Sequence, residues 1–198
     1  MSLDLDALTT VTGDRPIEPI PKTPELSAEK VKLGAKLYQD PQLSHNNTVA
    51  CITCHTLDKG GTDRRVHLVG INGQARLVNA PSVFNSVLSF KQFWDGRVGN
   101  LADQIDGPVH NRLEMGSNWP EVIEKLKNSD YSLAFKQLYP DGMNSNNIKD
   151  AIVTYERSLN TPNSRFDRFL KGDTNALTAQ EQEGYRRFVL SLVLQLIV

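Results

Sequence analysis

Apolar residues recur every three to four positions in several stretches of the chain, which is the spacing of a helix with one buried face. The stretch 146–160 is the clearest case, because Ile148, Ile152, Tyr155 and Leu159 fall on one face at spacings of 4, 3 and 4. No stretch alternates convincingly between apolar and polar residues as a half-buried strand does. The pattern therefore predicts a mostly α fold with long loops and little or no strand.

Signals at helix ends extend this prediction along the chain. Ser27 can cap a helix over about 28–39, which the following Asp-Pro pair would end. Thr178 and Glu181 match a capping box at the start of the last helix. Further helices are predicted over 119–127, 130–139 and 164–171.

The two ends of the chain and one central stretch lack a clear helical period. Residues 1–26 are rich in Pro, Thr and Asp and predict an extended N-terminal arm. Residues 57–79 are punctuated by glycine and predict a loop. Residues 188–198 read FVLSLVLQLIV, which is too short to span a membrane, since that takes roughly 20 residues. This apolar tail fits either a buried terminal helix or the end of a truncated or frame-shifted chain.

Composition, charge and cysteine count exclude several classes of protein. The chain has 198 residues, of which 39% are hydrophobic and 23% charged, a globular balance that allows one ordinary domain or two very small ones. A net charge of -1 encodes no strong attraction to nucleic acid or to an anionic membrane. The only two cysteines lie three positions apart, so they cannot staple distant segments, and a disulfide scaffold is excluded. No secretory signal peptide is visible.

The two cysteines belong to the run Cys51-Ile-Thr-Cys54-His55, which is the pattern of c-type haem attachment. Two thiols at this spacing can each form a thioether with one porphyrin, and the neighbouring histidine can ligate the iron. A structural zinc site normally needs four Cys or His ligands, and this run supplies at most three. A thioredoxin-like dithiol would be expected in a βαβ context, which the pattern lacks. The sequence predicts a cytochrome c-like haem domain with one covalently bound haem c.

The residues around this motif resemble one family. The similarity lies in the runs KLGAKLYQDPQLSHNNTVACITCHTLDKGGTD at 32–63, NAPSVFNSVLSFKQFWDGRVGNLADQIDGPV at 79–109, LEMG at 113–116, AIVTYERSLNTPNSRFDRFLKGD at 151–173 and LTAQEQEGYRRF at 177–188. Over about residues 15–188 the chain is similar to the N-terminal haem domain of the bacterial dihaem cytochrome c peroxidases. The resemblance implies a periplasmic enzyme that reduces hydrogen peroxide with electrons from a small donor protein of the cytochrome c or cupredoxin type. It also suits a homodimer.

The resemblance implies roles for individual residues. His55 would be the proximal ligand of the peroxide-reducing haem. Gln104 and Glu114 match a distal pair, in which Glu114 would act as a general acid–base and Gln104 would orient the peroxide. Trp94 matches an aromatic residue between two haems, and Asn79 matches a ligand of an inter-domain calcium ion. Calcium needs roughly 6–8 oxygen ligands, so tight binding is not expected here.

Without the resemblance, these residues have ordinary interpretations. Glu114 would be a surface acid, Gln104 a solvated helix residue and Trp94 a core aromatic.

Two departures from the family pattern stand out. Many relatives carry a distal histidine at the position of Ile71, and isoleucine cannot ligate iron, which resembles the subgroup with an open peroxide site. His67 lies four residues upstream and is an alternative ligand only if the loop rearranges. The family pattern also leads from E-G-Y-x-x-F to a second haem motif, whereas this sequence continues into the apolar tail. We therefore expect a haem domain with linking helices over 27–187, and in 188–198 the place where a second haem domain would begin.

Three function classes remain open at this stage. The leading one is a peroxidase or its peroxide-reducing half. The second is an electron-transfer cytochrome with one haem, whose sixth ligand would come from Met115, Met143 or His67. The third is an inactive fragment that pairs with another chain or aggregates through its apolar tail.

Overall fold

The structure is a computed structural model that describes residues 17–195, without the side chains of residue 190 and residues 192–195. Its described part contains eight α-helices: α1 (Ala28–Tyr38), α2 (Cys51–Cys54), α3 (Leu101–His110), α4 (Trp119–Lys127), α5 (Tyr131–Leu138), α6 (Ser145–Ser158), α7 (Arg165–Leu170) and α8 (Ala179–Gln195). Long loops connect them and contain short 3₁₀ turns. Among the same residues there are two isolated β-bridges and no strand. The prediction of a mostly α fold is confirmed.

The predicted helix ends agree with the structure because local capping bonds form. The Ser27 hydroxyl accepts a hydrogen bond from the Lys30 amide, at 3.2 Å, at the start of α1. At the start of α8 the Thr178 amide donates to the Glu181 carboxylate at 2.7 Å, and the Glu181 amide donates to the Thr178 hydroxyl at 3.3 Å. Helix α8 continues through the predicted boundary at residue 187 into the apolar tail, where Phe188 is half exposed.

Helix α3 was not predicted, because it contains a Gly-Pro pair. Pro108 removes one backbone donor from the helix, so local propensity disfavours it. The side chain of Asn100 caps its first turn by accepting from the Asp103 amide at 2.9 Å. Tertiary packing overrides the proline, since the helix buries one apolar face made of Leu101, Ile105 and Val109.

The core of the first compact unit forms around the pairing of α1 and α6, which contact each other more extensively than any other two elements of the described chain. Gly34 makes this approach feasible, since a Cβ there would lie 2.0 Å from the carbonyl oxygen of Ala151 and 2.7 Å from the Tyr155 Cβ. The predicted face of α6 is buried, with Ile148 and Ile152 at most 1% exposed. This core supports the loops that carry the candidate site.

The chain divides into two compact units. Residues 23–160 form one, and the described residues before Thr23 together with those from Thr161 onward form the other. In the second unit the Tyr185 ring makes edge contacts with Phe166 and Phe169. The predicted divisions at residues 26 and 187 stay predictions. In the part of the chain that is described, no helix is both long and apolar enough to cross a membrane.

Candidate haem site

Helix α2 is a single turn that presents both cysteines. Cys51 and Cys54 share one side of it, because residues three apart are neighbours on a helix. Both thiols are unpaired. His55 follows as the C-terminal cap, and its amide donates to the Cys51 carbonyl oxygen at 3.0 Å. Local backbone geometry alone therefore places two thiols and an imidazole within one turn.

Two loop carbonyl groups orient the His55 ring. Its Nδ1 atom lies 3.0 Å from the Pro81 carbonyl oxygen and 3.3 Å from that of Gly61. Both partners are acceptors, so Nδ1 carries the hydrogen and Nε2 is left with its lone pair, the arrangement of a metal-ligating histidine. Burial lowers the pKa of His55, which keeps the ring neutral. Tyr38, fully buried, donates its hydroxyl hydrogen to the His55 carbonyl oxygen at 3.0 Å.

The electrostatics of the two thiols distinguish a haem attachment site from a redox dithiol. Burial raises the pKa of Cys51 to about 12 and that of Cys54 to about 11. Reactive dithiol motifs depress the pKa of their cysteine instead. These thiols are therefore neutral, and the dithiol interpretation loses support. No group of three or more His, Cys, Asp or Glu residues forms a metal site within residues 17–195.

Glu114 lies in a half-buried position held by two partners. Its carboxylate accepts a hydrogen bond from the Asn111 side-chain amide at 3.0 Å and pairs with the Arg76 guanidinium at 3.1 Å. Burial raises the pKa of Glu114, while the charges of Arg76 and Arg97 oppose that shift. Sequence reasoning missed both partners and the nearby charge of Arg97. Arg97 lies in the quoted F-W-D-G-R run, but no local signal pointed to Arg76.

The loop of Glu114 is positioned by an unusually close backbone contact. The Ile71 amide donates to the Glu114 carbonyl oxygen at 2.8 Å. A Cβ at Gly70 would lie 2.5 Å from the Glu114 Cα, so only glycine permits this approach. Ile71 itself is buried, with its side chain packed against Gly116. The position where relatives were expected to have a histidine is therefore part of the apolar core, and His67 is exposed.

Gln104 lies half-buried on α3, two turns before the helix ends. The Phe93 ring packs against this helix at Gly107, where a Cβ would lie 2.4 Å from the ring. Arg97 covers the other part of that ring, 3.6 Å from its centre. These contacts fix the loop before α3 against the helix. Gln104 and Glu114 share no hydrogen bond in the described structure.

Trp94 and Asn79 come together although they are distant in sequence. The Trp94 indole donates to the Asn79 carbonyl oxygen at 3.2 Å. Trp94 is 66% exposed, so its interpretation as a core aromatic is wrong. The Asn79 residue is exposed as well.

The loops around the attachment turn expose an unusual amount of apolar surface. Of nine large apolar side chains exposed in the described chain, seven lie between residues 66 and 113: Val66, Leu77, Val78, Leu88, Phe90, Trp94 and Leu113. Where exposed apolar side chains form a contiguous patch, they mark a binding surface, and this stretch of loops is a candidate for one. The two methionines named as candidate sixth ligands are not part of this exposed surface, since Met115 is buried in the core and Met143 packs against it.

These residues fit a c-type haem. The two thiols are neutral, form no disulfide and lie on one side of a turn. The Nε2 lone pair of the histidine is available to ligate iron. The exposed apolar side chains of the loops could be covered by an apolar macrocycle. This combination defines a c-type cytochrome fold.

Comparison with known proteins identifies the family. The model of the di-haem cytochrome c peroxidase family matches residues 28–175, and the chain belongs to that family. It is 47% identical over 177 residues to the cytochrome c peroxidase Ccp of Escherichia coli, covering 88% of this chain and 38% of that protein. It is 39% identical over 195 residues to the cytochrome c551 peroxidase of Nitrosomonas europaea, covering 95% of this chain and 58% of that protein.

A solved structure agrees with the fold. The crystal structure of a MauG-like protein associated with microbial copper homeostasis superimposes with a TM-score of 0.74 at 28% identity. The match covers 89% of this chain and 53% of that one. The chain thus spans about 40–60% of the length of the relatives it matches. Family membership implies a c-type haem.

Proposed function

We propose that this chain is the peroxide-reducing haem half of a cytochrome c peroxidase that acts in the periplasm. The reaction consumes one hydrogen peroxide, two electrons and two protons and yields two waters. The observation that carries the proposal is Glu114, a half-buried carboxylate held by Asn111 and Arg76 against the loop at Ile71. The family match supports it, and so does the apolar residue at the expected histidine position.

Cys51 and Cys54 would hold one haem c covalently, and His55 would ligate its iron through Nε2. When bound, the haem supplies the redox-active iron at which peroxide is reduced. The carbonyl oxygens of Pro81 and Gly61 keep the hydrogen on Nδ1, so the ring stays oriented. Hydrogen bonding at Nδ1 also increases the basicity of Nε2.

Glu114 moves the proton in this proposal. Its carboxylate takes a proton from one peroxide oxygen and delivers a proton to the other, which leaves as water. Burial raises the pKa of this carboxyl, and the charges of Arg76 and Arg97 oppose that rise. The Gln104 amide orients the peroxide and stabilises developing negative charge.

Electrons enter from a partner in this proposal. Trp94 lies exposed within an apolar surface and would relay electrons from a small redox protein of the cytochrome c or cupredoxin type. Asn79, joined to Trp94 by a hydrogen bond, would contribute one oxygen to a calcium site that needs further ligands. The same apolar surface also suits a homodimer.

The first test is the optical spectrum of the haem-loaded protein before and after one equivalent of hydrogen peroxide. We expect a five-coordinate, high-spin iron whose spectrum changes promptly. Glu114→Gln should slow that change by about 10²–10⁴-fold, since that is what a general acid–base contributes. Glu124→Gln, on the exposed side of α4, neutralises an equal charge and should change nothing.

Each outcome is decisive for this proposal. A six-coordinate, low-spin spectrum unmoved by peroxide would favour an electron-transfer cytochrome instead. An unchanged rate in Glu114→Gln would remove Glu114 from the reaction.

A further inference from the structure

Glu156, which the proposed reaction does not use, is the only glutamate among the buried residues of the described chain. It lies on α6 and is 7% exposed. Its Oε2 atom is buried without a hydrogen-bond partner. Buried polar groups are normally paired, so an unpaired buried carboxyl oxygen calls for an explanation.

The surroundings of Glu156 place it beside the haem attachment turn. Burial is the largest cause of the raised pKa of Cys51, and the Glu156 carboxylate is the next. The same carboxylate also raises the pKa of Tyr38, after burial and Cys51. Tyr38 in turn donates to the His55 carbonyl oxygen. Glu156 is therefore within electrostatic reach of the cysteine that would carry one thioether.

Two charged residues on the elements packed against α6 form ion pairs with other residues of that helix. On α1, Lys30 pairs with Asp150 at 2.8 Å, nearer the N-terminal end of α6. On α3, Asp106 pairs with Lys149 at 3.1 Å. The 3₁₀ turn Ser86–Leu88 contributes only a hydroxyl, Ser86 Oγ, which is also buried without a partner.

Among residues 17–195 no cation forms an ion pair with the Glu156 carboxylate. A buried carboxylate without partners is costly when ionised, so it retains its proton to higher pH. Burial raises the pKa of Glu156 to about 7. The group therefore changes protonation near neutral pH.

We propose that Glu156 is a proton-binding site coupled to the electron state of the haem. When the donor protein delivers one electron to the haem, one proton from solvent binds the Glu156 carboxylate. When the haem is oxidised again, the electron leaves the haem and the proton returns from Glu156 to solvent. The reason is electrostatic, because reduction removes one positive charge from the haem and the ionised carboxylate then loses its nearest compensation. The coupling is reciprocal by linkage. It rests on haem attachment at Cys51, as proposed above.

The test is the reduction potential of the haem-loaded chain as a function of pH. One proton per electron makes the equilibrium constant for reduction fall tenfold per pH unit, which is about 59 mV for a one-electron couple. We expect the wild type to approach this slope around neutral pH. The reduction potential of Glu156→Gln should not change with pH in this range, because glutamine cannot ionise. It should equal the potential that the wild type reaches at acid pH, because glutamine resembles the protonated acid. Glu124→Gln is the control and should keep the wild-type slope.

Equal slopes in the wild type and Glu156→Gln, with haem bound in both, would overturn this proposal alone. Absence of covalent haem from the wild type would overturn the proposed function as well. If Glu156→Gln fails to retain haem, the reduced-minus-oxidised infrared spectrum of the wild type decides. It should show a protonated carboxylic acid gained on reduction near neutral pH, and a spectrum without that signal would refute the coupling.

Discussion

Replacing Glu156 by glutamine should change how the stability of the folded chain depends on pH. The side chain is 7% exposed on α6, and its Oε2 atom has no hydrogen-bond partner. Glutamine has nearly the same shape but cannot ionise. The substitution therefore removes the cost of a buried charge and leaves the surrounding packing intact.

The magnitude follows from the pKa of Glu156, which rises from an ordinary 4.5 to about 7 on folding. The unfolded chain loses this proton above pH 4.5, and the folded chain keeps it until about pH 7. Wild-type stability therefore falls between these two values, because the folded state binds more protons there. Each pKa unit corresponds to about 1.4 kcal/mol, so the free energy of unfolding of the wild type is about 3 kcal/mol lower above pH 7 than at low pH.

Urea unfolding of the haem-loaded protein, kept reduced, at pH 5 and pH 8 measures this effect. The free energy of unfolding of Glu156→Gln, relative to that of the wild type, should increase by about 2–3 kcal/mol from pH 5 to pH 8. Glu124→Gln, an equal change on an exposed glutamate, should show no such growth. A difference between Glu156→Gln and the wild type that is the same at both pH values would refute the assignment of a buried, unpaired carboxyl.

Two glycine substitutions test the close approaches that build the fold and the site. Gly34→Ala should destabilise the chain by about 2 kcal/mol in urea unfolding, since its Cβ would lie 2.0 Å from a backbone oxygen of α6 and overpacking outweighs the gain in helix propensity. Gly184→Ala, with open space around it on α8, should instead stabilise by up to about 1 kcal/mol, and equal effects would contradict the packing argument. Gly70→Ala should displace Glu114 and slow peroxide reduction at unchanged haem content. Gly99→Ala is the control, because its Cβ would meet no other atom, and it should not slow the reaction. Equal rates in the two variants would show that the close contact at Gly70 does not position the carboxylate.

Helices with strong local signals were predictable from the sequence. The period of α6 and the caps at Ser27 and Thr178 use only neighbouring residues, and each is confirmed. Helix α3 was missed, because its proline contradicts local propensity and only burial of its apolar face stabilises it. No helix was predicted for the single turn of α2, since four residues are too few for any period.

The candidate site likewise has features that the sequence predicted and features that it did not. The attachment run from Cys51 to His55 is local, so its spacing alone predicted one haem c. The acceptor for the His55 ring at Pro81 and the pairing of Glu114 with Arg76 depend on contacts between distant loops. The alternative interpretation of Trp94 as a core aromatic failed, because the structure leaves its ring exposed beside Asn79.

The sequence by itself determined the class of the fold, most helix ends and the residues that would bind the haem, because each depends on spacing within a few turns. Tertiary structure alone decided which nitrogen of His55 is free and which partners hold Glu114. It also decided that the Oε2 atom of Glu156 is buried without a hydrogen-bond partner. Burial and electrostatics depend on what the folded chain brings within a few ångströms. No local pattern encodes those distances, so the chemistry of the site became visible only in three dimensions.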